Sequence, residues 1–327
     1  MSLPRIAIAL GDPAGIGPEI ALKAALDPRV RRMARTVLVG DRSVLETHAR
    51  LSYLAPVLAS VRGTPLAWPA DGVALLEVAA EPVELGAIRA AHGRAAIAAA
   101  RAAIRLAMTG EVDAVVAAPQ TERAIKDAGV DFDGYPSFVA RETGLPAEDG
   151  FLMLCFDDTR IVHATLHVSL RAAIALITER HVSKVIAAAD RALRRLGVAR
   201  PRLAVSGLNP HAGEHGMFGS EELEIIAPAI AKAEREGIAV AGPFGCDTMF
   251  QRQGYDAFIV MYHDQGHIAA KLKATNRTAG LTIGTPVLFS SVAHGSALDI
   301  AGQNKATADA MVEAIARLAG AAVNTGK

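Results

Sequence analysis

Short aliphatic runs alternate with longer helical patterns along almost the whole chain, and this alternation points to an α/β fold with a mostly parallel core sheet. The runs that read as strands are Arg5–Leu10, Thr36–Val39, Ala114–Ala117, Leu152–Leu154, Ile161–Ala164, Leu203–Val205, Ala257–Val260 and Gly280–Ile283. Helical periodicity covers Pro18–Ala25, Ala87–Thr109, Ser183–Leu196, Glu221–Glu236 and Thr307–Leu318. No internal repeat or low-complexity linker interrupts the series. Two turn-rich stretches, Val130–Ser137 and the one near Gly284–Pro286, are where the chain would cross to a second domain and return. This predicts a first domain from residues 1–130 plus 285–327 and a second from 131–284.

The bulk numbers remove several classes of function. With 327 residues, 51% hydrophobic and 4% aromatic, there is ample aliphatic material for a core. Lys+Arg and Asp+Glu both total 34, and no basic run interleaves with aromatics, so no nucleic-acid surface is expected. Zero net charge favours association with a like subunit. The longest apolar stretches fall short of a bilayer span, so no membrane partner is expected. Met1–Leu10 is too short for a secretory signal and reads as the first strand. Cys155 and Cys246 are isolated, which fits a reducing, cytoplasmic setting.

Chemistry concentrates at the ends of strands, where α/β proteins build their sites. His167 (in Ala164-Thr-Leu-His-Val-Ser-Leu-Arg171), His211 (in Gly207-Leu-Asn-Pro-His-Ala-Gly-Glu214) and His263 (in Met261-Tyr-His-Asp-Gln-Gly266) each follow such a run. Three imidazoles with an open fourth position are a catalytic metal set. Neutral imidazoles favour Zn, Co, Fe or Mn over Mg, which prefers oxygen donors. Asp247 and Asp264 are placed to orient or supplement the histidines. His48, His92, His163, His181 and His215 lack such contexts and read as structural or solvated; His267 and His294 stay open.

Two further segments stand out. Gly11-Asp-Pro-Ala-Gly-Ile-Gly-Pro-Glu19 follows the first strand, with glycines off the dinucleotide-fingerprint spacing. It reads as a backbone loop lining a site, with Asp12 directed into it. Ser291–Gly302 combines small residues with His294 and Asp299, which permits close backbone approach to a ligand.

His294-Gly-Ser-Ala-Leu-Asp-Ile-Ala-Gly302 resembles the adenosine-binding loop of decarboxylating isocitrate and isopropylmalate dehydrogenases. The chain as a whole more closely resembles the 4-hydroxythreonine-4-phosphate dehydrogenase family, through Gly11–Glu19, Gly207–Glu214, Gly242–Phe250, Tyr262–Gly266 and His294–Gly302, in family order. The resemblance implies two α/β/α domains with the site in a cleft between them and a homodimer. It implies NAD held by His294, Gly295, Ser296, Ala297 and Asp299, and one divalent metal ion on His167, His211 and His263, the third donor crossing the dimer interface.

The substrate positions depart from the family pattern. Gly134-Tyr-Pro-Ser137 stands where the family has Gly-His-Thr-Glu, Gly280 replaces an asparagine, and Phe289 replaces an arginine, while Lys271 is kept. A phosphate dianion wants Arg and polar donors. These exchanges resemble instead the subgroup that oxidises terephthalate dihydrodiol, as do Glu111–Val116, Arg160–His167, His263–Ile268 and Ser290–Ala297. The expected substrate is then a small carboxylate touched by Asp12, Tyr135, Ser137, His267 and Lys271. Its hydroxyl, β to the carboxylate, is oxidised and CO2 lost, with Lys271 binding the carboxylate or moving a proton. The phosphorylated hydroxy acids of the wider family and a non-catalytic ligand binder are the alternatives.

Overall fold

Ile6–Ala9 and Val37–Val39 are fully buried, as central strands of a parallel sheet covered on both faces must be. A computed structural model of the chain describes residues 3–62, 65–273, 278–292 and 294–320. Its strands are β1 (Arg5–Ala9), β2 (Arg35–Gly40), β3 (Leu58–Ser60), β4 (Val73–Glu77), β5 (Ala114–Ala117), β6 (Phe151–Phe156), β7 (Thr159–His163), β8 (Arg202–Ser206), β9 (Ala239–Phe244), β10 (Ala257–Val260), β11 (Ala279–Ile283) and β12 (Phe289–Val292). The chain divides into two compact units, one of Met1–Tyr135 with Pro286–Lys327 and one of Pro136–Thr285.

In the first unit the strand order is β3-β4-β2-β1-β5-β12, with every neighbouring pair parallel. In the second unit the order is β11-β6-β7-β10-β8-β9. There β11, β6 and β7 pair antiparallel, and β7, β10, β8 and β9 run parallel to one another. A tight turn at Asp157-Asp158, with Asp157 at φ 43°, closes the β6–β7 hairpin.

The eight expected strands are all present. The sequence pattern missed β3, β4, β9 and β12. β9 carries Gly242-Pro243, which reads as a breaker, but it is an edge strand where proline is tolerated. β12 contains Ser290-Ser291, whose polarity hides the period. The helix expected from Ser183 begins at Glu179 instead, because the Thr178 hydroxyl caps it by accepting the His181 N–H at 3.2 Å. The helix expected over Glu221–Glu236 is a π turn, Glu222–Ile226, continued by an α-helix Ala227–Arg235 with Pro228 in its first turn. His263 and Tyr135, expected in turns, are the first residues of helices His263–Lys273 and Tyr135–Glu142.

A core cluster in the second unit joins Leu154, Phe156, Ile161, Ala204, Met249, Phe258, Val260 and Ala270. It anchors β7, β8 and β10 together, and so fixes the strand ends from which the histidine loops emerge. Phe156→Ala should cost about 3–5 kcal/mol of folding stability by cavity formation. Val57→Ala, at a side chain 72% exposed in the other unit, should stay within about 0.5 kcal/mol. Chemical denaturation of both variants checks this, and equal losses would contradict the assigned core.

Candidate active site

Because β7, β10 and β8 are adjacent and parallel, their C-terminal ends lie at one edge of the sheet. The segments carrying His167, His263 and His211 leave from those three ends. Side chains stitch them together. The Thr165 hydroxyl donates to the Met261 carbonyl at 2.9 Å, tying the loop after β7 to the end of β10. Gln265 Oε1 accepts from Met261 N at 2.8 Å and Tyr262 N at 3.3 Å. Its Nε2 donates to the Gly207 carbonyl at 3.0 Å, which ties β10 to the loop after β8.

The structure brings His167 and His263 together, 5.8 Å between ring centroids. His267, one turn further along the helix, stacks on His263 at 3.7 Å with the rings 7° apart, and Lys271 continues this stripe one turn on. Asp264 Oδ1 lies 2.7 Å from His263 Nδ1, so that nitrogen is engaged and Nε2 is left to point elsewhere. Beneath them His163 is fully buried, 4.7 Å from the His267 ring. Burial, then the neighbouring imidazoles, lower the pKa of His163 to about 3; burial and His263 lower that of His267 to about 4. Both rings are therefore neutral at physiological pH.

His211 stands apart from this group, its ring 6.3 Å from Phe218. It opens a run of five residues, His211 to His215, with φ between 42° and 78°. Left-handed backbone costs roughly 1–2 kcal/mol per L-residue, so such a run persists only where its surroundings impose it. Asp247, at the start of helix Cys246–Met249, flanks the same turn: Gly245 lies between its carboxylate and the His211 Cα. Among the described residues of one chain, no three His, Cys, Asp or Glu side chains are arranged to hold a metal ion.

The other expected site residues fall in the first unit or at its boundary. The Gly11–Glu19 loop and the His294–Gly302 loop are bound to each other: Ile16 N donates to the Ser296 carbonyl at 2.9 Å, and a side chain at Gly15 would meet that carbonyl at 2.5 Å. The Thr121 hydroxyl donates to Ser296 Oγ at 3.0 Å. Ser296 is buried, Ala297 is left-handed at φ 41°, and His294, Gly295 and Asp299 are exposed; Ala293 lies outside the described residues. Asp12 is 1% exposed; its Oδ1 accepts from Ala14 N at 2.9 Å, and its buried Oδ2 has no hydrogen-bond partner among the described residues. Tyr135 is buried, its ring 4.6 Å from Phe289 and 5.5 Å from Phe132, and burial raises its pKa. Ser137 follows it on the helix Tyr135–Glu142.

Sequence reasoning passed over the residues that hold these loops. Thr165 and Gln265 sit inside the quoted motifs without being singled out. Glu222, whose Oε1 accepts from Leu208 N and Asn209 N at 2.7 Å each just before His211, lies unmarked within the helical stretch Glu221–Glu236. His163, read as unremarkable, lies directly under the stacked pair; its position four residues before His167, on the last residue of a strand, was the available signal.

The sequence profile of the family described as pyridoxal phosphate biosynthetic protein PdxA matches residues 32–318. A protein of Symbiobacterium thermophilum, provisionally named a D-threonate 4-phosphate dehydrogenase, is 42% identical over 319 residues, 95% of each chain. The 1,2-dihydroxy-3,5-cyclohexadiene-1,4-dicarboxylate dehydrogenase of Comamonas sp is 41% identical over 314 residues, 96% of each. The crystal structure of a terephthalate 1,2-cis-dihydrodioldehydrogenase from Burkholderia xenovorans LB400 matches with TM-score 0.75 and 41% identity, covering 98% of this chain and 100% of that one. A β-decarboxylating dehydrogenase from Thermococcus kodakarensis, 16% identical with TM-score 0.50 over 97% of this chain and 82% of that one, shares the fold alone. The chain belongs to the PdxA family. It is a dehydrogenase of that family, with the mixed α/β fold common to these enzymes. No described helix is long and apolar enough to cross a membrane.

The Gly11–Glu19 loop gives a pH prediction. His48 is buried beneath it, its Nε2 3.1 Å from the Pro13 carbonyl, and burial lowers its pKa below the ordinary imidazole value. Above that ordinary value neither state is protonated and His48 makes stability no more dependent on pH. Below it the unfolded chain takes up a proton that the folded chain refuses, so stability falls as pH drops, by at most about 1.4 kcal/mol per pH unit for this group. Denaturation midpoints between pH 7 and pH 5 should fall less steeply in His48→Gln than in the parent. An unchanged slope would contradict the assignment.

Proposed function

We propose that this enzyme oxidises the hydroxyl β to a carboxylate in a cis-dihydrodiol dicarboxylate of the terephthalate dihydrodiol type, with NAD as acceptor and loss of CO2. The contact between Tyr135 and Phe289 carries the substrate class: positions where the wider family places a histidine and an arginine pack here as two aromatic rings 4.6 Å apart. Buried aromatic rings in place of those two polar side chains leave a phosphate dianion without the donors it needs.

The donor type at the sheet edge fits a divalent ion of the Zn, Co, Fe or Mn kind: imidazoles on the segments that follow three adjacent strands, one of them, His263, oriented by Asp264. His167, His211 and His263 would hold it; when bound it would supply Lewis acidity, and NAD would serve as the hydride acceptor. Asp264 keeps the His263 ring in one tautomer and orientation. Asp247 sits beside the His211 turn to do the same or to add a ligand. Lys271, on the stripe with His263 and His267, pairs with a substrate carboxylate or moves a proton; Tyr135, Ser137, His267 and Asp12 are the proposed substrate contacts. The loop His294–Asp299, bound to the Gly11–Glu19 loop, holds the adenosine part of NAD through His294, Gly295, Ser296, Ala297 and Asp299. Oxidation gives a β-keto acid, whose decarboxylation is drawn on by aromatisation of the ring.

The enzyme acts as a homodimer in this reading. Val168, Leu170, Ile174, Met217, Phe218 and Ile268 are exposed large apolar side chains that follow the three histidines in sequence. A second copy covering them removes that surface from water and completes the imidazole set across the interface.

A second substrate class, the four-carbon acid phosphates and 4-hydroxythreonine 4-phosphate, is favoured by the 42% identity to the Symbiobacterium relative. NADH formation with added divalent metal separates the two. The dihydrodiol should turn over, and D-threonate 4-phosphate and 4-phosphohydroxythreonine should not; faster turnover of either phosphate reverses the ranking. His211→Ala should lower metal content and kcat/KM together, the latter by about 100-fold or more. Full activity with full metal content in that variant would end the metal-site claim.

A further inference from the structure

We propose that Glu222 is a positioning residue for His211, holding the left-handed turn in the conformation that presents this imidazole. The proposal rests on the reading of His211 as a metal ligand. Glu222 is 2% exposed, yet its carboxylate does nothing for its own helix, where it makes no capping bond. All of its described hydrogen bonds go to the chain just before His211. Oε1 accepts from Leu208 N and Asn209 N, each at 2.7 Å, and Oε2 accepts from Asn209 Nδ2 at 3.0 Å. A second acceptor, Glu221 Oε2, takes the same Asn209 amide at 2.7 Å.

The carboxylate also shapes the turn on its far side. Gly213, inside the left-handed run at φ 78°, faces it so closely that a side chain there would meet Oε2 at 2.6 Å. Glu222 therefore touches the turn both before and after His211. A buried carboxylate with only neutral donors is an expensive way to fill space, and an apolar residue would serve the helix equally well. Its use is to satisfy three N–H groups at the entry to a backbone that L-residues avoid. Gln265 reaches the same loop from the other side through the Gly207 carbonyl, so His211 is held between two fixed elements.

The test is a Co2+ titration of the metal-stripped full-length chain, followed by visible absorption, with thermal melting of the same samples. Glu222→Gln removes one acceptor oxygen and sets an amide N–H against the Asn209 donors. It should weaken Co2+ binding about 10–100-fold and alter the visible band at saturation. A residue that merely supported folding would lower the melting temperature and leave affinity and band of the folded protein unchanged; that result overturns the proposal. His211→Ala, run in parallel, should lose most Co2+ affinity. Wild-type affinity there overturns the ligand reading beneath, whereas loss in His211→Ala with none in Glu222→Gln overturns the role of Glu222 alone. If Glu222→Gln does not fold, Asn209→Ala, which strips the side-chain half of the clamp, is judged by the same two outcomes.

Discussion

The parallel pairing of β7, β10 and β8 is the constraint on which the rest depends. Three adjacent strands running the same way must release their following loops at one edge. Everything placed there, including His167, His263 and the turn of His211, is near neighbour by topology before any side chain is considered. The buried strand residues Ile161, Val162, Leu203, Ala204, Ile259 and Val260 fix this arrangement. The loops themselves contribute little burial and are held by hydrogen bonds from Thr165, Gln265 and Glu222.

This division of labour explains what the sequence disclosed. The aliphatic runs announce their strands because burial on both faces demands uninterrupted Val, Ile, Leu and Ala. The histidine motifs are visible because His beside Pro, Gly or Asp at a strand end has few structural uses. Gln265 and Glu222 were not legible, since their partners are backbone groups of another loop, 58 and 13–14 residues away, and no local pattern encodes such a contact. The helix starting at His263 was hidden for a related reason. Its buried residues are the small Gly266 and Ala270 while Ile268 and Leu272 are exposed, so no apolar stripe marks the helix in the sequence.

The first unit repeats the logic with different material. There the loop after β1 is held by backbone, through Ile16 to Ser296 and Asp12 N to the Pro119 carbonyl, with glycine where contact is closest. In the proposed reading, small residues there would meet a cofactor through main chain, as the imidazoles of the second unit would meet an ion. The Tyr135–Phe289 contact, two buried rings 4.6 Å apart, is the observation on which the proposed substrate class rests. His163 and His267, packed against His263 and held neutral by burial and by one another, add no positive charge beside the proposed donors.

The central claim is that His167, His211 and His263 bind one divalent ion together. X-ray absorption at the zinc edge of the Zn2+-loaded enzyme tests it most directly. The account predicts imidazole scattering from about three nitrogens at roughly 2.0–2.1 Å. A first coordination sphere of oxygen or sulfur alone, without the imidazole signature, would contradict it.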